Sequence, residues 1–141
     1  MESKFGQFST EHLVKMEEGI AHFNQQKYWE CHEDFEHLWL DDTTDPARNV
    51  YWAIIQVAAA CIHFRDSNLI GCQGMIRKAK EKFQRCRDQH ILTELAFKNL
   101  DWEELEKIVM KIPPADQSKL ENFAELFEFR FKHYPFSQEQ S

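Results

Sequence analysis

Two polar side chains on one helical face are the residues of this sequence best placed to do chemistry. His32 and Glu36 stand four residues apart in the segment YWECHEDFEHLW, residues 28–39. On a helix that spacing makes them neighbours, and we expect His63 to reach them from a facing helix. Two imidazoles and a carboxylate are a ligand set that a divalent metal such as zinc or manganese accepts. The sequence therefore predicts a metal site formed by His32, Glu36 and His63.

Two further carboxylates near this site could act as general bases. Glu33 directly follows His32, so the segment contains HExxE, which differs by one residue from the HExxH of zinc peptidases. In HExxH the glutamate after the first histidine is the general base. Glu33, or else Glu30, would activate a metal-bound water in the same way. A metal-dependent hydrolase is the first hypothesis, and no phosphate loop or nucleophile elbow narrows its substrate.

The same polar side chains have a second interpretation, in which they hold helices in register. An internal hydrogen-bond network would satisfy two imidazoles, a carboxylate and an amide that each cost roughly 1–3 kcal/mol to bury without partners. Under this hypothesis the protein is a non-catalytic binding or scaffold module. In both interpretations the residues expected to line the cluster are Gln56, Trp39, Trp52, Asn68 and Tyr28.

Charge constrains the partners of such a protein. The chain has 17 Lys plus Arg against 24 Asp plus Glu, a formal net charge of −7. Its mean field repels the phosphates of nucleic acid and anionic lipid headgroups, so we expect no nucleic acid and no membrane partner. A basic peptide or protein fits an acidic surface, and a small ligand among Trp29, Trp39 and Trp52 is a variant of the same idea. A homo-oligomer stays an open alternative.

The elements that must position these residues are helices. Only 4 Gly and 4 Pro occur in 141 residues, which are too few turn signals for an all-β chain. Apolar residues at steps of three and four predict about six helices in one compact all-α domain, residues 1–136, with a frayed tail at 137–141. The segment at about 47–64 is apolar on nearly every side, which predicts a buried central helix. His32 and His63 are then expected to be buried and His37 exposed.

Caps and breakers set the expected helix boundaries. A first helix should run from Ser9 or Thr10 to about Asn24, and a short one should occupy 89–98. Asp101 and Glu104 match a capping box at the start of another helix, which the prolines at 113 and 114 stop. A last helix is expected over about 115–132, with phenylalanines along one face.

Cysteine usage and hydropathy indicate a cytoplasmic protein. The four cysteines, at positions 31, 61, 72 and 86, form no CxxC pair, and no signal sequence is recognisable at the N-terminus. Reduced thiols are expected. The longest apolar run is interrupted by Gln56 and His63, so it falls short of the roughly 18 residues that a membrane span needs.

Two stretches of the sequence resemble a known family. FNQQKYWECHEDFEHLW and, after a gap, YWAIIQVAAACIHFRDSNLIGCQGMIRKA are similar to the domain of unknown function 309 family, over about residues 18–83. The resemblance implies a compact helical domain and carries the label of predicted metal-dependent hydrolase. Cys72 departs from the usual alanine, and the C-terminal helical extension, about 99–134, lies outside the resemblance. The matching positions are Glu30, His32, Glu33, Glu36, Trp39, Gln56, His63 and Asn68.

Overall fold

The computed structural model describes residues 6–136, and the predicted frayed tail, 137–141, lies outside them. Within this range the chain forms helices and no β-strand, which confirms the predicted all-α class. Eight α-helices occur where about six were expected, because short connections divide the ends of the chain. They are α1 Thr10–Lys15, α2 Glu17–Asn24, α3 Tyr28–Asp41, α4 Arg48–Arg65, α5 Leu69–Asp88, α6 Glu94–Asn99, α7 Trp102–Lys111 and α8 Ala124–Glu128, the last preceded by a 3-10 turn at Leu120–Phe123.

Helix α4 is the centre of the bundle, as its apolar sequence predicts. Ten of its 18 residues are buried, and α3 and α5 both pack along it. The short α8 and the 3-10 turn cover its remaining apolar surface. Because an all-round apolar helix must be covered on every side, α4 fixes where the other elements lie. No helix in residues 6–136 is long and apolar enough to span a bilayer.

Helix α5 is joined to the C-terminal half by two side-chain contacts. Arg87 donates two hydrogen bonds to Glu106 of α7, at 2.7 and 2.6 Å, in the bidentate geometry that suits a guanidinium and a carboxylate. Lys80 donates from Nζ to the carbonyl oxygen of Ile112 at 2.6 Å. Ile112 directly follows the last residue of α7, so an ammonium group there satisfies a carbonyl that the helix itself leaves free.

The N-terminal and middle predictions need small corrections. The predicted first helix is divided into two helices, α1 and α2, which meet at Met16. The helix expected at 89–98 begins only at Glu94. The residues before it are held by the N-terminal segment, because the backbone N–H of Phe8 donates to the Ile91 carbonyl and Thr93 Oγ1 donates to the Phe8 carbonyl, both at 2.9 Å.

The prediction of a last helix over 115–132 is wrong. The helix α8 ends at Glu128, and residues 129–131 follow it without helical structure. Asn24 holds this segment by both ends of its amide, donating to the Phe131 carbonyl at 3.0 Å and accepting from the Phe131 N–H at 2.8 Å. The phenylalanine pattern that suggested a helix instead supplies rings to the core, since Phe129 and Phe131 both contact Phe23.

The predicted capping box at Asp101 is also wrong. Asp101 precedes α7 with φ 48°, and its side chain makes no cap hydrogen bond to that helix. Its carboxylate accepts instead from the Lys132 N–H at 2.8 Å and contacts the His133 ring at 3.0 Å. The C-terminal segment is therefore held at both ends by side chains from distant parts of the chain.

We predict that Asn24→Ala lowers the free energy of unfolding by about 2 kcal/mol, because it removes two hydrogen bonds and leaves backbone groups of Phe131 unpaired. Asn99→Ala is the matched control, since its amide donates only to Leu95 of its own helix among the described residues. It should change stability by less than about 0.5 kcal/mol. Urea unfolding followed by circular dichroism measures both, and equal losses would contradict the anchoring role of Asn24.

Candidate functional site

One stripe of α4 is left incompletely covered. Trp52, Gln56, Ala59 and His63 recur at steps of three and four, so they share a face, and all four are partly exposed. Trp52 contacts the ring of Trp39 in α3, with centroids 4.8 Å apart, and the Lys82 ammonium of α5 lies 4.0 Å from its ring. The stripe therefore lies between α3 and α5. These two helices pack on α4 and have little or no contact with each other in the described structure.

The α3 wall of this interhelical groove is aromatic and acidic. Trp29, His32, Glu36 and Trp39 share one face of α3 by their spacing. Trp29 is 59% exposed and stacks on the His32 ring, with centroids 5.7 Å apart and planes 3° from parallel. Glu36 is exposed. Two polar atoms on this wall, His32 Nδ1 and Trp39 Nε1, are buried and have no hydrogen-bond partner within residues 6–136.

The α5 wall is basic. Met75, Lys78, Lys82 and Arg85 repeat at helical steps on the face that meets Trp52. Lys82 is only 5% exposed, and its nearest carboxylate oxygen, on Glu81, is 3.9 Å away. Burial, together with the positive charge of Arg85, lowers the pKa of the Lys82 ammonium. Trp52 supplies the compensating attraction, because its ring face is electron-rich.

The structure does not gather the predicted metal ligands into one cluster. Among the described residues, His32, Glu36 and His63 do not form a group whose ligand atoms all lie within 4.8 Å of one another. Both histidines are partly exposed, where we expected them buried, because the groove between α3 and α5 is open. His37 is exposed, as predicted. Glu30 and Glu33, the predicted bases, are exposed on α3. Metal binding by these residues stays a prediction.

The alternative network is not formed either. No hydrogen bond joins His32, Glu36 or Gln56 to any side chain in the described part of the chain, so these groups face the groove without internal partners. Tyr28, expected beside them, is fully buried and donates its hydroxyl to the Phe127 carbonyl at 3.1 Å. Tyr28 therefore supports the C-terminal segment and does not line the groove.

His63 and Asn68 form the corner between α4 and α5. Asn68 caps α5 by accepting from the Gly71 N–H at 2.9 Å, and its amide Nδ2 lies 3.2 Å from His63 Nδ1. The His63 ring lies against Gly71 so closely that a Cβ there would overlap it. His63 and Asn68 join α4, the floor of the groove, to α5, one of its walls. Their role in the structure is to position these two helices.

A second polar cluster was missed by the sequence analysis. His12 Nε2 lies 2.7 Å from Asp45 Oδ2, and Asp42 completes a group whose ligand atoms all lie within 4.8 Å of one another. Such a group could hold a metal ion. His12 and Asp45 are 33 residues apart in sequence, so no local spacing indicates that they meet. The acidic composition of the 41–46 loop was the available signal.

The hydrogen bonds of His12 determine which proton its ring carries. Nδ1 accepts from the backbone N–H of Ser9 at 2.9 Å, in the capping box that begins α1. A neutral imidazole whose Nδ1 accepts carries its proton on Nε2, which then donates to Asp45. A metal on Nε2 would have to displace that proton, and Nδ1, then protonated, would donate to the Ser9 Oγ that lies 2.8 Å from it. Without a metal, His12 ties α1 to the 42–46 loop.

The cysteines offer no nucleophile to either cluster. All four are free and buried. Burial raises the pKa of the Cys31 thiol, next to His32 in sequence, well above its ordinary value, and it raises that of Cys61 to about 12. A thiol that stays protonated at neutral pH is neither a nucleophile nor a ready metal ligand.

Comparison with known families identifies the part of the chain that contains the floor of the groove and its α3 wall. The family described as a domain of unknown function (DUF309) matches residues 16–75. Residues 16–75 are a DUF309 domain. The match confirms the family resemblance seen in the sequence. No curated protein and no solved structure matches the chain.

The DUF309 domain contains the floor of the groove, its α3 wall and the corner that joins α4 to α5. The matched range ends at Met75, so most of the basic α5 wall lies outside it. The remaining helices, α6 to α8, cover the core from the C-terminal side and hold α5 through Lys80 and Arg87.

Two glycines on α5 should respond oppositely to the same substitution. Gly71→Ala should destabilise the protein by about 1–3 kcal/mol, because the new Cβ overlaps the His63 ring. Gly74→Ala should stabilise it by roughly 0.5–1 kcal/mol, since a Cβ there meets nothing within 4 Å and alanine favours the helix. Thermal unfolding of the two variants tests this, and shifts of the same sign would contradict the corner packing.

Proposed function

We propose that the DUF309 domain of this chain is a non-catalytic binding module, and that the groove between α3 and α5 binds an amphipathic helix of a partner protein. The observation that carries the proposal is the partly exposed stripe of α4, at which Gln56, with His32 and Glu36 of α3, makes no side-chain hydrogen bond within residues 6–136. Polar groups that already have hydrogen-bond partners inside the fold are not available to bond to a ligand. These three side chains of the groove are available.

The shape and surface of the groove suit a helix. Two helical walls on a helical floor form a trough, and Ala59 leaves room in the middle of its floor. Helix-in-groove recognition needs apolar anchors, and Trp29, with 59% of its surface exposed, provides one at the α3 wall. Gln56 in the floor must find hydrogen bonds when a ligand covers it, which favours a ligand with a matching polar group.

The charges of the two walls specify the orientation of the ligand. Glu33 and Glu36 give the α3 wall negative charge, while Lys78 and Arg85 give the α5 wall positive charge. A bound helix with basic residues along one edge and acidic residues along the other would be complementary to both walls in one direction only. A uniformly basic peptide, which the net charge alone suggests, would meet repulsion at α5.

We expect helical peptides selected on the protein from a random display library to bind in this groove. Ala59→Arg should weaken their binding by about tenfold or more, because a long side chain fills the middle of the trough. Ala124→Arg is the matched control, an exposed alanine in α8 far from the groove, and should change binding less than about twofold. Fluorescence anisotropy gives the affinities.

Amide chemical shifts of the labelled protein show where the peptide binds, and Gln56 and Ala59 should respond most. The proposal fails if the library yields no binder, or if the binders it yields are insensitive to Ala59→Arg. A normal melting temperature for the Ala59→Arg variant shows that the loss of binding is not a loss of fold.

A metal-dependent hydrolase is the second candidate function, and the His12, Asp42 and Asp45 group is the observation that favours it. The metal site predicted from the sequence, at His32, Glu36 and His63, is the alternative location. Both sites need a neutral imidazole with a free nitrogen. His12 has neither nitrogen free, and His32 keeps Nδ1 buried, so only its Nε2 could meet a metal.

We predict that zinc and manganese leave the melting temperature unchanged at pH 7. Metal binding would stabilise the fold by about 2.7 kcal/mol at a hundredfold excess over the dissociation constant. The gain would disappear near pH 5.5, where imidazole is largely protonated. A rise at pH 7 that is abolished by His12→Ala would favour the hydrolase at that cluster, and one abolished by His32→Ala or His63→Ala would favour the sequence-predicted site. Either rise would contradict this prediction.

A further inference from the structure

A cavity adjoins α5 at residues that are not part of the groove wall. It has a volume of about 400 Å³ and is enclosed by α5, by the loop at residues 113–115 and by Phe123 of the 3-10 turn. Its apolar lining includes Ile70, Ile76 and Pro113. Volumes of this size are typical of sites that hold small organic ligands.

The charge of this cavity is opposite to that of the protein. Arg77 and Lys80 are its charged lining residues, and no carboxylate of residues 6–136 lines it, although the chain carries a net charge of −7. The Lys80 ammonium already donates a hydrogen bond to the Ile112 carbonyl oxygen, at 2.6 Å. Arg77 is exposed and makes no hydrogen bond or ion pair with any residue between 6 and 136. A free guanidinium at the rim of an apolar cavity can bind an anionic group.

Gly74 is a second, independent indication that the cavity is kept open. It lies in the interior of α5, where glycine weakens a helix, and it lines the cavity. A Cβ at this position would meet nothing within 4 Å, so no contact of the fold requires glycine. The nearby Gly71, by contrast, is required by the His63 ring. The space beside Gly74 is therefore part of the cavity floor, available to a ligand.

We propose that this cavity binds a small amphipathic monocarboxylate. The carboxylate lies against the Arg77 guanidinium, which matches it in shape and charge, and the apolar chain lies on Ile70, Pro113 and Phe123. Ile70 is 80% exposed, so a chain that covers it removes apolar surface from water. The site is separate from the groove, because the residues that line the cavity include none of those that form the α5 wall of the groove.

The direct test is calorimetric titration of the whole protein with hexanoate, octanoate and decanoate, below their micelle concentrations, and with 1-octanol as the uncharged analogue. Affinity should rise about fourfold for each added methylene until the cavity is full. Octanol should bind roughly tenfold more weakly than octanoate, because it lacks the charge that Arg77 recognises. No binding by any of the three carboxylates, or equal binding of octanol, overturns the proposal.

Matched variants locate the site. Arg77→Gln should weaken octanoate binding about tenfold, while Lys78→Gln, which removes the same charge from a neighbouring exposed position, should change it less than about twofold. Gly74→Leu should abolish binding by filling the floor, and Gly74→Ala should retain it with a raised melting temperature. The groove variant Ala59→Arg should bind octanoate normally. Undiminished binding in Gly74→Leu, or equal losses in the two charge variants, would show that the ligand lies elsewhere.

Discussion

The helix α4 is apolar around almost its whole circumference, and no isolated helix of that kind is stable in water. Its burial requires neighbours on all sides, and the chain supplies them in sequence order: α3 before it, α5 after it, and the C-terminal segment last. What remains of its circumference is one stripe, Trp52 to His63, which α3 and α5 leave partly open. The groove is thus a consequence of how the core is closed. Its floor is the least apolar face of the most buried helix.

Several polar residues within the stretches that resemble the family bond to backbone groups. Asn24 holds Phe131 and Tyr28 holds Phe127, while Asn68 caps α5 locally and supports His63. Asn24 and Tyr28 thus act on a part of the chain that a local motif does not contain. A histidine-and-carboxylate pattern on helices therefore mixes residues that hold the fold together with residues that are free to bond to a ligand. In the described structure His32, Glu36 and Gln56 are of the second kind.

Helical periodicity predicted α3 and α4 within one or two residues, because their apolar faces are long and each packs against a neighbour in sequence. It failed at Phe131 and Asp101, whose conformations are set by side-chain bonds to residues 107 and 31 positions away. The prediction of the site was incomplete for the same reason, because sequence spacing does not report contacts between distant segments. Spacing showed correctly that His32 and Glu36 share a face and that Gln56 and His63 share another, but not how far α3 stands from that face. It could not show His12 meeting Asp45 at all.

The cations of α5 illustrate how an apparently uniform charged surface divides into separate tasks. From the sequence, Arg77 to Arg87 suggests a solvated basic face. In the fold Lys80 bonds to the carbonyl that follows α7, Lys82 contacts the ring of Trp52, and Arg87 pairs with Glu106. These three charges therefore stabilise the fold. Arg77 and Lys78 make no such bond within the described residues, and as consecutive residues they point about 100° apart around the helix. In a protein of net charge −7, α5 still presents positive charge without an ion-pair partner in the described residues, from Arg77 at the cavity and from Lys78 and Arg85 at the groove. A single helix can therefore serve two separate surfaces because its fold-stabilising cations alternate with free ones.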